Sequence, residues 1–190
     1  MRTVAVVYHS DSGSTKILAE AIHEGAGSLE DVRAELHEIQ RADLSDGFYR
    51  NEALFNSLDE ADAIIFGCPT FMGNVSTPMK AFLEATLQRF SSRAWTDKLA
   101  SGFTVSGTPS GDKSNTLTSL LVCALQLGMV WVGLDQSPAN PDKRNRLGFF
   151  LGAAGQADFR TKGAALHAGD RETGVEHGKR VARLARSQGS

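Results

Sequence analysis

Apolar runs of strand length alternate along the chain with amphipathic stretches of helical length. Five short apolar runs predict strands at residues 3–9, 32–39, 61–67, 99–106 and 129–134. Apolar residues at helical spacing predict helices at residues 14–27, 52–58, 78–89, 115–127 and 171–186. This alternation is typical of a parallel sheet that is covered by helices on both faces.

The pattern predicts one α/β domain, residues 1–190, with a doubly wound, five-stranded parallel sheet. Residues 135–146 are polar and are expected to form a surface excursion, after which residues 147–154 either extend the last strand or line a pocket. In this architecture ligands bind beyond the carboxyl ends of the strands, where the strand order reverses. Chemistry is therefore expected in the loops at residues 9–15, 68–76 and 106–114.

The composition of the chain argues against several classes of protein. The formal net charge is −2, with 22% charged and 41% hydrophobic residues, so the basic surplus of a nucleic-acid binder is missing. No apolar run reaches the roughly 20 residues of a membrane span, and no signal-peptide pattern begins the chain. Two cysteines are too few for a disulfide scaffold, so a reducing cytoplasm is the expected location.

The loop after the first predicted strand is rich in hydroxyl groups and opens a helix. Its hydroxyls can donate to phosphate oxygens, and the amides of a helix N-terminus attract an anion. The spacing matches neither a dinucleotide-binding glycine motif nor an NTPase loop. A capping turn without a ligand is the alternative. The residues predicted to contact a phosphate are Ser10, Ser12, Gly13, Ser14 and Thr15.

The stretch VVYHSDSGSTKILAEAI resembles the FMN-phosphate signature of flavodoxins. That resemblance implies a flavodoxin-like three-layer sandwich with strand order 2-1-3-4-5, and FMN as the cofactor. Asp11 departs from the pattern, since a carboxylate repels a phosphate dianion. Its side chain is expected to point to solvent or to cap a backbone amide.

The loop after the third predicted strand combines a rigid proline, a glycine and exposed aromatic and thioether side chains. Its backbone amides can donate to the carbonyls and N1 of an isoalloxazine ring. The alternative is an ordinary strand-to-helix loop with Asn74 or Ser76 as the helix N-cap. The predicted ring contacts are Pro69, Thr70, Phe71, Met72, Gly73 and Asn74.

The loop after the fourth predicted strand is rich in small hydroxyl residues and glycine. It can approach the other ring face and the ribityl chain. The alternative is a glycine-rich turn exposed to solvent, which is the structure that such a composition more commonly forms. The predicted contacts are Ser106, Gly107, Thr108 and Gly111.

Two longer stretches, ADAIIFGCPTFMGNVSTPMKAFLEAT and DKLASGFTVSGTPSGDKSNTLTSLLVCALQLGMVWVG, are similar to the WrbA-type NAD(P)H:quinone oxidoreductases. The resemblance implies FMN, two-electron ping-pong reduction of quinones by NADPH or NADH, and a homo-oligomer (dimer or tetramer) whose neighbours complete the site. The sequence departs from the family in three places. Phe71 and Met72 replace Arg-Phe, and Gln126 and Leu127 stand where a His is usual. Phe90 is the nearest match to a Trp that reaches a neighbour's flavin.

Other reactive side chains are discounted. Cys68 and Cys123 are expected to be packed apolar groups, with a redox thiol as the alternative for Cys68, and His177 is expected to be solvated. The basic run at residues 143–146 (Lys143, Arg144 and Arg146) is expected to be a solvated face, with binding of the NAD(P)H phosphates as the alternative. No group of residues has metal-ligand spacing, and no catalytic side chain is expected because flavin N5 accepts the hydride.

The sequence therefore predicts an FMN-dependent NAD(P)H oxidoreductase that acts on quinones or similar small acceptors. A flavodoxin that carries single electrons between protein partners is one alternative, although the near-neutral charge disfavours it. An FMN-binding regulatory protein with slow turnover is another.

Overall fold

A computed structural model of the protein describes residues 1–158 and 163–188. The expected domain, residues 1–190, also includes residues 159–162 and 189–190, which lie outside the described part. The strands are β1 (Arg2–Tyr8), β2 (Val32–Glu38), β3 (Leu44–Ser45), β4 (Phe48–Tyr49), β5 (Ala63–Phe71), β6 (Asn74–Val75), β7 (Leu99–Ser106), β8 (Val130–Trp131) and β9 (Ala153–Gln156). The helices are α1 (Ser14–Gly27), α2 (Glu52–Glu60), α3 (Thr77–Ala85), α4 (Leu87–Ser92), α5 (Lys113–Gln126) and α6 (Ala168–Ser187), with a 3₁₀ turn at Arg41–Asp43.

The predicted parallel α/β sheet is confirmed, but its strand count differs from the prediction. A path of five strands runs in the order β2-β1-β5-β7-β8, with parallel pairing throughout. Two further strands bring the sheet to seven: β6 pairs antiparallel with β5, and β9 pairs parallel with β7. The short β3–β4 hairpin forms a separate sheet.

The fifth strand, predicted at residues 129–134, is shortened to β8, and a separate strand, β9, continues the same edge beside β7. Strand β8 pairs with Leu99 and Ala100, and β9 pairs with residues 103–106. Between them residues 132–152 leave the sheet. They return at Gly152, where a Cβ atom would lie 2.1 Å from the carbonyl oxygen of Gly102, so only glycine allows the chain back against β7. Of the two predictions for residues 147–154, extension of the sheet is partly correct, because β9 includes Ala153 and Ala154.

The core occupies both faces of the sheet, because side chains alternate along each buried strand. On one face Ala5 and Val7 of β1 pack with the aromatic residues of α2, α3 and the α4–β7 connection, including Trp95. On the other face Val4 and Val6 pack with α1 and α6. The prediction that β1 is buried on both sides is confirmed.

Two helical details differ from the sequence pattern. The helix predicted at residues 78–89 is broken into α3 and α4 at Thr86, whose buried hydroxyl donates to the carbonyl of Leu83 at 2.6 Å. Helices α1 and α6 pack closely, since a Cβ at Gly25 would lie 1.9 Å from the carbonyl oxygen of Val175. Across residues 1–158 and 163–188, every helix falls short of the length and apolar character that crossing a bilayer requires.

Candidate flavin site

The first predicted loop lies between β1 and the N-terminus of α1. Gly13 has φ +92°, a conformation that favours glycine, and it precedes the first helical residue without a side-chain cap. The hydroxyl of Ser10 accepts from the amides of Gly13 and Lys16, each at 3.2 Å. Among the described residues the amides of Ser14 and Thr15 have no acceptor, although both residues are buried. This turn therefore presents free helix N-terminal donors, as an anion site requires.

Asp11 is exposed and pairs with a cation outside the loop. Its Oδ1 accepts from Nη2 of Arg41 at 2.7 Å, and this hydrogen bond lowers the pKa of the Asp11 carboxyl. The carboxylate is thus partly neutralised and held on the solvent side of the turn. The expectation that Asp11 points to solvent is confirmed, and Arg41 is a partner that the sequence pattern did not indicate.

The segment after β9 lies against the same loop. A Cβ at Gly13 would be 2.7 Å from the Cβ of Ala164, and the amide of Ala165 donates to the hydroxyl of Ser14 at 3.4 Å. Residues 163–166 therefore form one wall beside the helix N-terminus. Sequence reasoning missed this wall because no motif marks it.

The second predicted loop is a tight hairpin. Phe71 of β5 pairs with Asn74 of β6, and the two residues between them, Met72 and Gly73, have φ values of +48° and +75°. Phe71, Met72 and Asn74 are exposed at the tip. The hairpin thus offers apolar side chains and turn amides at the carboxyl end of β5.

Pro69 and Thr70 are not loop residues. Both are buried and belong to β5, which runs four residues further than predicted, to Phe71. Pro69 lies beyond the end of β1, where the sheet does not need its missing N–H. The hydroxyl of Thr70 is 2.8 Å from that of Thr104 and 2.9 Å from that of Thr116, so its side chain holds β5, β7 and α5 together.

The third predicted loop folds tightly upon itself between β7 and α5. Gly111 has φ +54°, and a Cβ there would be 2.2 Å from the hydroxyl oxygen of Ser106 and 2.9 Å from that of Thr108. Lys113, at the start of α5, is fully buried beneath this loop. Its Nζ donates to the carbonyl oxygen of Thr108 at 2.6 Å. Nothing in the sequence marks this burial beyond a lysine that follows a Gly-Asp pair.

The three loops meet in space because β1, β5 and β7 are neighbours in the sheet. Nδ1 of His9, next to the first loop, lies 2.9 Å from the hydroxyl of Ser76, directly after the second. Asn115 of α5 donates to the carbonyl of Gly73 at 2.7 Å, which joins the second loop to the helix that follows the third. The predicted positions thus form one continuous surface at the carboxyl edge of the sheet.

The discounted cysteines have no disulfide partner, and Cys68 is buried. Burial raises the pKa of the Cys68 thiol to about 12, so it is not a thiolate at neutral pH. Burial also lowers the pKa of His9, whose ring is 2% exposed and bonded to Ser76. These groups next to the site are therefore structural neighbours, as expected for the thiol.

The basic residues at positions 143–146 lie in different environments in the folded protein. Lys143 is exposed, but Arg146 forms an ion pair with Asp170, a carboxylate that is 1% exposed. Asp170 also accepts from the amide of Gln156 at 2.8 Å. The interpretation of the whole run as a solvated face is wrong for Arg146, which links the 132–152 excursion to β9 and α6.

The arrangement fits FMN on the chemistry of its donors. Among the described residues the amides of Ser14 and Thr15 have no acceptor, and with the hydroxyl groups beside them they suit a phosphate monoester. Positive-φ glycines at 13, 73 and 111 let three backbones approach a ligand. Within the described ranges no group of His, Cys, Asp or Glu side chains is arranged for a metal ion.

Comparison with known proteins agrees with this geometry. Residues 1–141 match the family model of NADPH-dependent FMN reductases. Flavodoxin FldP of Pseudomonas aeruginosa is 38% identical over 97% of both chains, and an NAD(P)H dehydrogenase (quinone) of Syntrophus aciditrophicus is 32% identical over 69% of this chain and 71% of its own. The crystal structure of a flavodoxin, WrbA-like protein from Agrobacterium tumefaciens is 36% identical and superposes with a TM-score of 0.76 over 98% of this chain and 99% of that chain.

The family match covers well over half of the chain, and the fold is flavodoxin-like. The protein is therefore a member of the NADPH-dependent FMN reductase family, an oxidoreductase of the WrbA-like type with FMN as its flavin and a reduced nicotinamide as its electron donor.

Proposed function

We propose that the protein passes two electrons from NADPH or NADH, through FMN, to quinones or similar small acceptors. The observation that carries the proposal is the open hairpin at the carboxyl end of β5, where Met72 is fully exposed and Phe71 is 46% exposed. An apolar, solvent-open tip beside the flavin suits flat organic acceptors that enter and leave rapidly. Bound FMN accepts a hydride at N5 and passes the electrons on.

In this proposal the residues of the protein bind FMN and orient it. The amides and hydroxyls of residues 10–15 hold the phosphate, the hairpin turn faces the ring, and the third loop approaches from the other side. The proposed contacts are Ser10, Ser12, Gly13, Ser14, Thr15, Phe71, Met72, Gly73, Asn74, Ser106, Gly107, Thr108 and Gly111. Pro69 and Thr70 are proposed to contact FMN through backbone atoms only, because the Thr70 hydroxyl is already hydrogen-bonded to Thr104 and Thr116.

No side chain is assigned a catalytic role, because hydride transfer to a flavin needs no protein acid or base at its centre. The neighbouring His9 and Cys68 support this reading, since both are buried and have pKa values that disfavour the charged form near neutral pH. Their expected role is packing.

The direct test is stopped-flow absorbance at 450 nm. FMN-loaded protein is mixed with NADPH or with NADH, and then with a benzoquinone. We expect bleaching by one or both nucleotides within seconds and recovery of the absorbance when quinone is added. Protein that binds FMN but is bleached by neither nucleotide, or is not reoxidised by quinone, contradicts the proposal.

A one-electron carrier between protein partners is the second candidate, and the name of the FldP relative, which spans 97% of this chain, favours it. A carrier takes up electrons in two well-separated stages during a reductive titration, whereas a quinone reductase takes them up in one. Acceptor kinetics separate the two further, since a carrier reduces redox proteins faster than quinones. Slow turnover with every acceptor is the result expected of a regulatory FMN-binding protein.

A homo-oligomer, as a dimer or a tetramer, is also proposed. A groove of 1210 Å³ starts at Asn74 in the second loop and continues between the helices α3, α4 and α5 as far as Gln126. Exposed apolar side chains line it, among them Leu87, Phe90 and Val122. Continuity with the hairpin supports a second copy that covers the groove and borders the flavin site. The free state of both cysteines supports a reducing location such as the cytoplasm.

A further inference from the structure

Lys113 is a fully buried lysine directly beneath the third loop. It is the first residue of α5, and its whole side chain is removed from solvent. Lysine is almost never buried without partners, because its ammonium group loses its hydration. A helix N-terminus is also an unfavourable place for a cation. Its position therefore needs a specific explanation.

The partners of Lys113 are three consecutive carbonyl groups of the third loop. Nζ donates to Thr108 at 2.6 Å, to Pro109 at 3.2 Å and to Ser110 at 3.4 Å. An ammonium group has three N–H donors and matches three carbonyls, whereas a neutral amine has two donors and a lone pair that repels the third. The observed set of partners is therefore that of the protonated form.

These hydrogen bonds fix which way the loop's peptide groups point. A trans peptide is planar, so its N–H points opposite to its C=O. With the carbonyls of Pro109 and Ser110 turned inward to Nζ, the amides of Ser110 and Gly111 point away from it, to the outer side of the loop. Among the described residues neither amide has an acceptor. The loop thus offers two free donors beside the proposed flavin site.

The charges around Lys113 come from the 132–152 excursion and from α6. Arg146 and Asp170 face it and are paired with each other, so their effects on the lysine oppose one another. The ring of Phe149 lies 5.9 Å from Nζ and is the apolar side of the pocket. Burial is the largest influence and lowers the pKa of Lys113 to about 8.

We propose that Lys113 is a positioning residue of the flavin site: its ammonium group holds the carbonyls of residues 108–110 inward, so that the amides of Ser110 and Gly111 face bound FMN, and loss of its proton weakens FMN binding. The inference rests on the proposed contacts of the third loop with FMN. Lys113 itself does not touch the flavin.

The first experiment measures the FMN dissociation constant of the apoprotein between pH 7.0 and 9.5, by quenching of FMN fluorescence. This range lies above the second ionisation of a phosphate monoester, at about pH 6. We expect wild-type affinity to fall on the order of tenfold across the range, because each pH unit above the pKa of a required ammonium costs up to tenfold. A flat wild-type profile overturns the proposal.

Variants assign the effect to this lysine. Lys113→Met is expected to bind FMN on the order of tenfold more weakly at pH 7 and to show no further loss at pH 9.5. Lys113→Arg keeps a positive charge at every pH and is expected to bind tightly with a flat profile. The matched control is Lys98→Met, since Lys98 also donates to two carbonyls, of Asp59 and Ala61, but next to the amino end of β7. It is expected to keep the wild-type profile; if Lys113→Met keeps that profile too, the proposal fails.

A second readout does not depend on FMN. In the apoprotein, ¹³C NMR shifts of the carbonyls of residues 108–110 are expected to titrate with a midpoint near that of Lys113 and to stop titrating in Lys113→Met. Carbonyl shifts that do not move with pH overturn the inference, whatever the protein binds. Wild-type protein that binds no FMN at any pH, with carbonyl shifts that do titrate, contradicts the flavin assignment and leaves the lysine–loop linkage established.

Discussion

The side-chain amide of Asn115 donates a 2.7 Å hydrogen bond to the carbonyl oxygen of Gly73, which joins the first turn of α5 to the turn of the β5–β6 hairpin. A second contact reinforces it, since the hydroxyl of Ser119 donates to Oδ1 of Asn74 at 3.0 Å. The hairpin tip is otherwise exposed. Its orientation therefore depends on side chains of a helix more than forty residues further along the chain.

Replacing Asn115 tests this dependence. Asn115→Ala removes the bond to Gly73 and is expected to weaken FMN binding about fivefold, since a net hydrogen bond contributes about 1 kcal/mol. Fluorescence titration of the apoprotein measures it. Thr118→Ala is the matched control, because that exposed hydroxyl donates only within its own helix, to the carbonyl of Ser114. Equal affinities of the two variants argue against a role for the Asn115 contact.

A pair of glycines tests the phosphate loop. Gly13 and Gly47 both have positive φ, but a Cβ at Gly13 would meet Ala164 at 2.7 Å whereas nothing lies within 4 Å at Gly47. Gly47→Ala is expected to cost about 1 kcal/mol of stability from backbone strain alone. Gly13→Ala is expected to cost about 1–3 kcal/mol and to lower FMN affinity at least on the order of tenfold. Urea denaturation and FMN titration measure the two effects, and wild-type affinity in Gly13→Ala contradicts the assignment of this turn.

We expect His177 to make the stability of the apoprotein sensitive to acid. The sequence predicted a solvated side chain, but the ring is fully buried, and its Nε2 lies 2.7 Å from the hydroxyl of Ser101. Ser101 donates to the carbonyl of Val132, so His177 is the donor to Ser101, and its Nδ1 has no partner among the described residues. Burial lowers the pKa of His177 from 6.5 to about 4.

The sign of the effect follows from this lowered pKa. Below pH 6.5 the unfolded chain binds a proton that the folded chain refuses until about pH 4, so stability is lost as the pH falls. Between pH 7.5 and 5 this linkage amounts to about 2 kcal/mol. His177→Gln, which keeps a donor for Ser101, is expected to reduce the pH dependence of the free energy of unfolding by that amount in urea titrations. An unchanged pH dependence rules out His177 as its source.

The groove predicts where a homo-oligomer can be dissociated. Val122 and Val130 are almost equally exposed, at 48% and 47%, but only Val122 lines the groove. Val122→Arg is expected to reduce the mass measured by light scattering after size exclusion, because it places an unpaired charge in the contact. Val130→Arg, on β8, is expected to leave the mass unchanged. A wild-type monomer at micromolar concentration contradicts the proposed assembly.

The sequence predicted the parts of the structure that local pattern determines. The bounds of α1 agree with the prediction, because the hydroxyl-rich turn and Gly25 and Gly27 mark its ends. The glycines at 13, 73 and 111 were assigned to the correct loops, since glycine adopts a positive φ without the steric cost that a Cβ imposes. The nearly continuous apolar run at residues 3–9 likewise predicted the two-sided burial of β1.

Features that depend on distant partners were missed. Lys113 follows a polar turn, and only the carbonyls of residues 108–110 and the fold around them make it a buried residue. Arg146 belongs to a run that looks solvated, and Asp170, which pairs with it, lies on another element. Nothing before Gly152 indicates that the chain must return against β7, so the splitting of the last strand was not predicted in detail.

The division of that strand has a consequence for how the molecule tolerates change. The half that pairs with the amino end of β7 and the half that pairs with its carboxyl end are joined by residues 132–152, which lie outside both strands although the amide of Val132 still donates to the carbonyl of Ala100. Insertions or deletions in residues 137–142 therefore need not disturb the register of either half. The connection at this edge of the sheet can therefore differ in length between homologues, while β9 keeps its position beside the flavin loops.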